Sequence, residues 1–176
     1  MGSPKALLRY RNESFLDTLI GLLGEHCNPV IVVLGAEAER IRSGTSRDAG
    51  FVVNPDYGRG MITSLQCGLR AVPANAEAAL FTLVDHPAVS PATVNALIAA
   101  PQTLVRVPRY RGKRGHPVWF RRELFDQFLA VGTGGNAGEV IRGHAADTEF
   151  LDLDDPGITI DIDDAEAYRR LMEAAP

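Results

Sequence analysis

The side chains most able to do chemistry are carboxylates and cations placed just after strand-like runs. Asp85 follows Ala79-Leu80-Phe81-Thr82-Leu83-Val84 and precedes His86-Pro87. Its carboxylate is therefore expected at the carboxyl end of a buried strand, where open α/β sheets bind ligands; a plain loop cap is the alternative. Asp161-Ile162-Asp163-Asp164 follows Ile158-Thr159-Ile160, which reads as extended. Alternation then sends Asp161 and Asp163 to one face and Ile162 to the other. Beside Asp85 these two would complete an oxygen-only site suited to Mg²⁺, whereas helix capping is the rival use of the same acids. Lys5 comes after Gly2-Ser3-Pro4 with no upstream strand to hold it, and reads as a loose terminal lysine. The run from Arg109 to Pro117 holds Arg109, Arg111, Lys113 and Arg114 with Gly112 and Gly115. Bare glycine backbone lets amides approach an anion, so phosphate recognition and a solvated charge run are both open. His116 has no second histidine at metal spacing and reads as a substrate or structural residue.

The elements that must position these groups alternate between buried strands and helices. Apolar residues at helical spacing predict a helix over 15–24, closed by Gly24. Val30 to Leu34 is a β-branched run that reads as a strand buried on both faces, followed by a polar helix over about 36–42. A short strand at 51–54, a helix over 61–71, a strand at 79–84 and a helix from Pro91 to about Ala99, capped by Ser90, continue the pattern. In the second half, strands at 104–107 and 117–120 flank the basic loop. A helix at 122–129, a glycine-rich turn at 132–135, a short helix at 137–144, a strand at 149–153 and a final helix from about Asp164 follow. This order argues for an α/β fold, a mainly parallel sheet covered on both faces in three α/β/α layers.

Composition narrows the function classes. The chain has 176 residues, 45% hydrophobic and 23% charged, with net charge -4; that length suits one domain, and the negative field disfavours nucleic acid as a partner. Cys27 and Cys67 are the only cysteines and form no CxxC or metal spacing, which fits a reducing, cytoplasmic setting. No apolar run nears the about 18 residues of a membrane span, and no signal-like apolar segment opens the chain.

Taken in order, Gly-x-Pro-Lys-Ala-Leu-Leu, Val-Val-Leu-Gly, Asn-Pro-Asp-Tyr-x-x-Gly-Met-x-x-Ser-Leu, Val-Asp-His-Pro, Gly-His-Pro-Val and Asp-Ile-Asp resemble the MobA-like nucleotidyltransferases across essentially the whole chain. Pro4-Lys5 and Gly60-Met61-Ile62-Thr63-Ser64-Leu65 are more similar to the molybdenum cofactor cytidylyltransferase branch than to the guanylyltransferase branch. The resemblance implies a Rossmann-like nucleotidyltransferase fold in a single domain over 1–176. It implies transfer of CMP from CTP, favoured over GTP, to the phosphate of a molybdopterin-type acceptor, with pyrophosphate released and Mg²⁺ as cofactor. A molybdenum hydroxylase is implied as recipient of the product. Lys5 and Asp85 match the family's catalytic positions, Asp85 and Asp163 its metal-binding acids with Asp161 in reserve, and Gly2, Lys5, Asn54, Gly60, Met61 and Ser64 its nucleotide contacts. Arg109, Arg111, Lys113, Gly115 and His116 match the side that holds the acceptor's phosphate.

Relatives begin with a strand and a loop, Leu-Ala-Ala-Gly-x-Ser-x-Arg, before the Met-Gly-x-Pro-Lys at which this sequence starts. The resemblance therefore implies a sheet lacking its first strand, weak triphosphate binding and a frayed Lys5. A different phosphate acceptor, such as a sugar phosphate, and an inactive cofactor-binding chaperone are the alternative readings.

Overall fold

The computed structural model describes residues 3–174. Along them run β1 (Arg9–Tyr10), β2 (Glu13–Ser14), α1 (Phe15–Gly24), β3 (Ile31–Leu34), α2 (Ala38–Gly44), β4 (Gly50–Val53), α3 (Met61–Ala71), β5 (Ala78–Phe81) and α4 (Pro91–Ile98). The second half adds β6 (Val105–Tyr110), β7 (Lys113–Arg114), β8 (Val118–Arg121), α5 (Phe125–Ala130), α6 (Ala137–Gly143), β9 (Thr148–Asp152) and α7 (Ala165–Ala174).

Local chemistry accounts for most boundaries. Ser14 opens α1 by accepting from the Asp17 N–H, and Ser90 opens α4 by accepting from Thr93 with Pro91 in the first turn. Helix α2 starts at Ala38, later than the sequence suggests, because Glu37 has φ +55° and cannot belong to a right-handed helix. The β1/β2 hairpin, turned at Arg11 with φ +54°, carries no periodicity that a sequence reading could catch.

Strands β3 and β4 pair in parallel. In the larger sheet β8 lies antiparallel between β5 and β6, while β9 pairs in parallel with the other side of β6. It follows that β5, β6 and β9 point the same way and only β8 and the short β7 are reversed. Layers are visible in the alternation along β5: Ala79 and Phe81 pack with Ile62, Leu65, Phe120, Phe128 and Val140 beneath α3, α5 and α6, whereas Leu80 packs with Leu19, Leu22 and Val94 of α1 and α4. Arg106 of β6 also faces α4, where it donates to the carbonyls of Ala96, Leu97 and Ala99 and pairs with Glu149 at 2.6 Å. The architecture is α/β with helices on both faces of a mostly parallel sheet.

Two expected strands differ. Strand β5 ends at Phe81, its last partner being Val118, although Thr82-Leu83-Val84 is as apolar as what precedes it; beyond that point no neighbouring strand offers a ladder. Ile158 to Ile160 is not a strand, because Asp155 accepts from the Gly157 N–H at 2.9 Å and, with Pro156, turns the chain into a 3-10 helix over Pro156–Thr159. Alternation nevertheless holds just beyond it, where Ile162 is fully buried between exposed Asp161 and Asp163.

Candidate active site

Three chain segments converge at the carboxyl end of β5. After Val84 the chain turns at Asp85-His86-Pro87, whose proline is fully buried. Ile162, locked among Tyr10, Phe15 and Leu171, fixes the extended segment that presents Asp161 and Asp163. Lys5 begins a 3-10 turn, Lys5–Leu7, anchored by buried Ala6 against Leu16 and Ile20 of α1. The expectation of a frayed terminal lysine is thus corrected: apolar contact of the next residue holds it. Its Nζ donates to Asp163 Oδ1 at 2.6 Å and lies 3.6 Å from Asp85 Oδ2.

The electrostatics of the cluster are those of crowded carboxylates around one cation. Burial works against the Lys5 ammonium, but the hydrogen bond to Asp163 and the charges of Asp85, Asp163 and Asp161 outweigh it and hold its pKa above the ordinary lysine value. Burial, together with the negative charges of Asp85 and Asp163, pushes the Asp161 carboxyl up. The Lys5 hydrogen bond holds Asp163 down.

Asp85, Asp161 and Asp163 each offer an oxygen, all within 4.8 Å of one another. Asp85 Oδ1 is buried with no hydrogen-bond partner in the protein. An all-carboxylate donor set with one orphaned buried oxygen fits a hard divalent ion such as Mg²⁺ or Mn²⁺.

His86 was not singled out from the sequence, although its place between Asp85 and Pro87 was the available signal. Its Nε2 lies 3.8 Å from Asp85 Oδ1, and its ring centroid is 5.0 Å from that of His116. His116, stacked edge-on against Phe81, is pushed down to about 4 by burial and by the neighbouring His86. It is neutral at physiological pH and supplies no cation to an acceptor phosphate. Gly115 has a steric role: a Cβ there would run into the Ile158 backbone, and its neighbour His116 donates to the Ile158 carbonyl at 3.0 Å. Together these contacts pin the turn that leads to Asp161 and Asp163.

The other predicted contacts fall into two groups. Asn54 is buried, donates to Thr63 and Ser64 at 2.9 and 3.0 Å, and accepts from the Asp56 N–H. It therefore shapes the loop entering α3, where Gly60 has φ +113°, a conformation that favours glycine. Met61, 59% exposed, and Ser64 share the wall of one cavity with Leu83 and Val84, the residues before Asp85. Gly2 lies outside the described residues. On the basic hairpin, Arg109 is held by Asp152 in a two-pronged ion pair at 2.9 and 2.5 Å, while Arg111 and Lys113 are exposed. Among the described residues no ion pair joins that hairpin to the acidic cluster. A more open depression of about 700 Å³ beside Arg11 and Arg47 contains none of the predicted site residues.

Residues 1–148 match the family described as MobA-like NTP transferase domain. The chain is 22% identical over 170 residues to the molybdenum cofactor cytidylyltransferase of Escherichia coli, covering 96% of this chain and 86% of that protein. It resembles the crystal structure of Rv0371c from Mycobacterium tuberculosis with TM-score 0.88 and 30% identity, over 99% of this chain and 91% of that one. A manganese complex of Rv0371c matches with TM-score 0.85 and 30% identity, over 98% and 94% of the two chains. Among the described residues no helix is long and apolar enough to cross a membrane.

Proposed function

The chain belongs to the MobA-like NTP transferase family and is a nucleotidyltransferase; within that activity we propose that it transfers CMP from CTP to the phosphate of a molybdopterin-type cofactor, in the cytoplasm, for delivery to a molybdenum hydroxylase. The observation that carries the reading is the meeting of Lys5 with Asp85, Asp161 and Asp163. The cytidylyl choice is supported by the relative from Escherichia coli, whose similarity spans the chain.

Asp85 and Asp163, with Asp161 beside them, would hold Mg²⁺, which when bound would supply positive charge against the triphosphate. Lys5, kept protonated by the acids around it, turns its ammonium from Asp163 to a phosphate oxygen of the nucleotide. An oxygen of the acceptor phosphate attacks the α-phosphorus, the bond from that phosphorus to the β-phosphate oxygen breaks, and the electron pair leaves with pyrophosphate. The attacking phosphate is already anionic near neutral pH, so no general base is needed. The protein's work is alignment and charge stabilisation. Asn54 and Gly60 set the loop on which Met61 and Ser64 meet the nucleotide, and exposed Arg111 and Lys113 are free to engage the acceptor.

Pyrophosphate release with CTP, Mg²⁺ and a molybdopterin acceptor tests this. Losing several kcal/mol of metal-borne charge stabilisation, at about 1.4 kcal/mol per tenfold, predicts that Asp85→Asn lowers transfer more than about a hundredfold with the fold intact. Asp163→Asn is expected to cost about as much and Asp161→Asn less. Wild-type transfer by Asp85→Asn at limiting Mg²⁺ would refute the assignment.

A further inference from the structure

Among the described residues three buried side-chain polar atoms have no hydrogen-bond partner in the protein: Asp85 Oδ1, His86 Nδ1 and His116 Nδ1. All three belong to one contiguous group, since His86 lies against both Asp85 and His116. Buried polar groups are ordinarily paired, because an unpaired one gives up its hydration without compensation. Packing alone does not account for His86. A phenyl ring would fill the place of its imidazole without bringing two nitrogens into the interior.

The His86 ring is firmly held. Its backbone N–H donates to the Leu83 carbonyl at 3.3 Å, the following Pro87 is fully buried, and His86 itself is 6% exposed. The imidazole lies against that of His116 with centroids 5.0 Å apart and planes inclined by 38°, and His116 in turn meets Phe81, the last residue of β5, edge-on at 5.7 Å. The backbone N–H of His116, donating to the Ile158 carbonyl at 3.0 Å, ties this stack to the segment that leads into Asp161 and Asp163. At the end of the stack His86 Nε2 is 3.8 Å from Asp85 Oδ1, while the other oxygen of that carboxylate is 3.6 Å from Lys5 Nζ.

We propose that His86 is a positioning residue: its Nε2–H donates to Asp85 Oδ1 and sets the plane in which the Asp85 carboxylate meets the divalent ion. The inference rests on the metal role assigned to Asp85 above. A carboxylate oxygen has two lone pairs, so Oδ1 can accept this N–H and still face the ion. The separation exceeds hydrogen-bond length by about 0.8 Å, which a small rotation of either side chain closes, and active-site hydrogen bonds commonly tighten only in the reacting complex. Carboxylates that ligate metals are themselves held by hydrogen bonds, which orient them. Without the His86 donor the Asp85 carboxylate turns about its Cβ–Cγ bond, drawn by the Lys5 ammonium at its other edge.

The test reads metal binding directly, without nucleotide or turnover. The protein is titrated with Mn²⁺, which takes oxygen ligands as Mg²⁺ does, and the free ion is followed by electron paramagnetic resonance. His86→Phe keeps a ring against His116 but removes the donor; His86→Asn places an amide N–H near the Nδ1 position, short of Asp85; His86→Gln places one near Nε2. The expected result is that His86→Phe and His86→Asn weaken Mn²⁺ binding by about 10–100-fold, whereas His86→Gln returns it to near the wild-type value. Thermal unfolding shows which variants are folded, and the contrast between Asn and Gln, two amides that differ by one methylene, decides the matter even where Phe is not tolerated. Wild-type affinity in His86→Asn, or a folded His86→Gln that binds as weakly as His86→Asn, would overturn the proposal and leave the role of Asp85 standing if Asp85→Asn still abolishes binding. Mn²⁺ bound equally by wild type and Asp85→Asn, or by neither, would overturn the metal reading of the acidic cluster and this proposal with it.

Discussion

Strand β6 lies between β8 and β9 and buries Val105 completely and Val107 to 4% exposure. Strand β3, richer in β-branched residues and paired on one edge only, leaves Ile31, Val32 and Val33 half-buried. The difference lies in neighbours rather than composition: a strand's second edge and both faces must be covered before its side chains become core. The better-covered half even tolerates the Arg106 guanidinium, because Glu149 and α4 carbonyls satisfy it. The acidic cluster stands on the seam. Lys5 comes from the α1 side, through Ala6 packed on Leu16 and Ile20, and Asp85 from the end of β5.

Substitutions can break or sharpen this contrast. The largest loss is expected at Phe120, which is 1% exposed and packed on Phe125 and Phe128 with centroids at 5.7 and 4.6 Å. Phe120→Ala should cost about 3–5 kcal/mol in urea unfolding; a loss below about 1 kcal/mol would mean that the larger sheet is no better packed than the smaller.

Next comes Asp17, which ties α1 to the segment entering β4 by accepting from Ser46 and Arg47 N–H at 2.8 and 2.9 Å and from Ser14 Oγ at 2.6 Å. Asp17→Asn should cost about 1.5–3 kcal/mol. Burial opposes the Asp17 carboxylate, but the hydrogen bonds from Ser14, Arg47 and Ser46 outweigh it and hold its pKa below the usual carboxylate range. Its contribution is therefore complete above the unfolded value of about 3.9 and lost as pH falls through the lower folded value. Acid unfolding below about pH 4 should be shallower in the Asn variant, and an unchanged acid limb would show that the tie does not hold this half.

The smallest effect is expected at Val33, whose side chain meets Gly68 of α3. Half-buried, it should lose about 0.8 kcal/mol as Val33→Ala in urea unfolding. A loss above about 2 kcal/mol would mean that the smaller sheet is packed as tightly as the larger.

Much of this was legible in the chain itself. The helices at 15–24, 61–71 and 91–98 were readable because apolar spacing, Ser90 and Gly24 act within a turn or two of themselves, and the oxygen-rich ends at Asp85 and Asp161–Asp163 were readable because strand alternation is equally local. Tertiary structure alone decided that Lys5 reaches Asp163 across 158 residues, that β8 enters the sheet reversed, that Thr82–Val84 lacks a partner, that Gly115 makes room for Ile158, and that His116 is neutral between Phe81 and His86. Periodicity and caps are set by a residue's immediate neighbours in the chain, whereas strand pairing, burial and protonation are set by neighbours in space, which no short window of sequence contains.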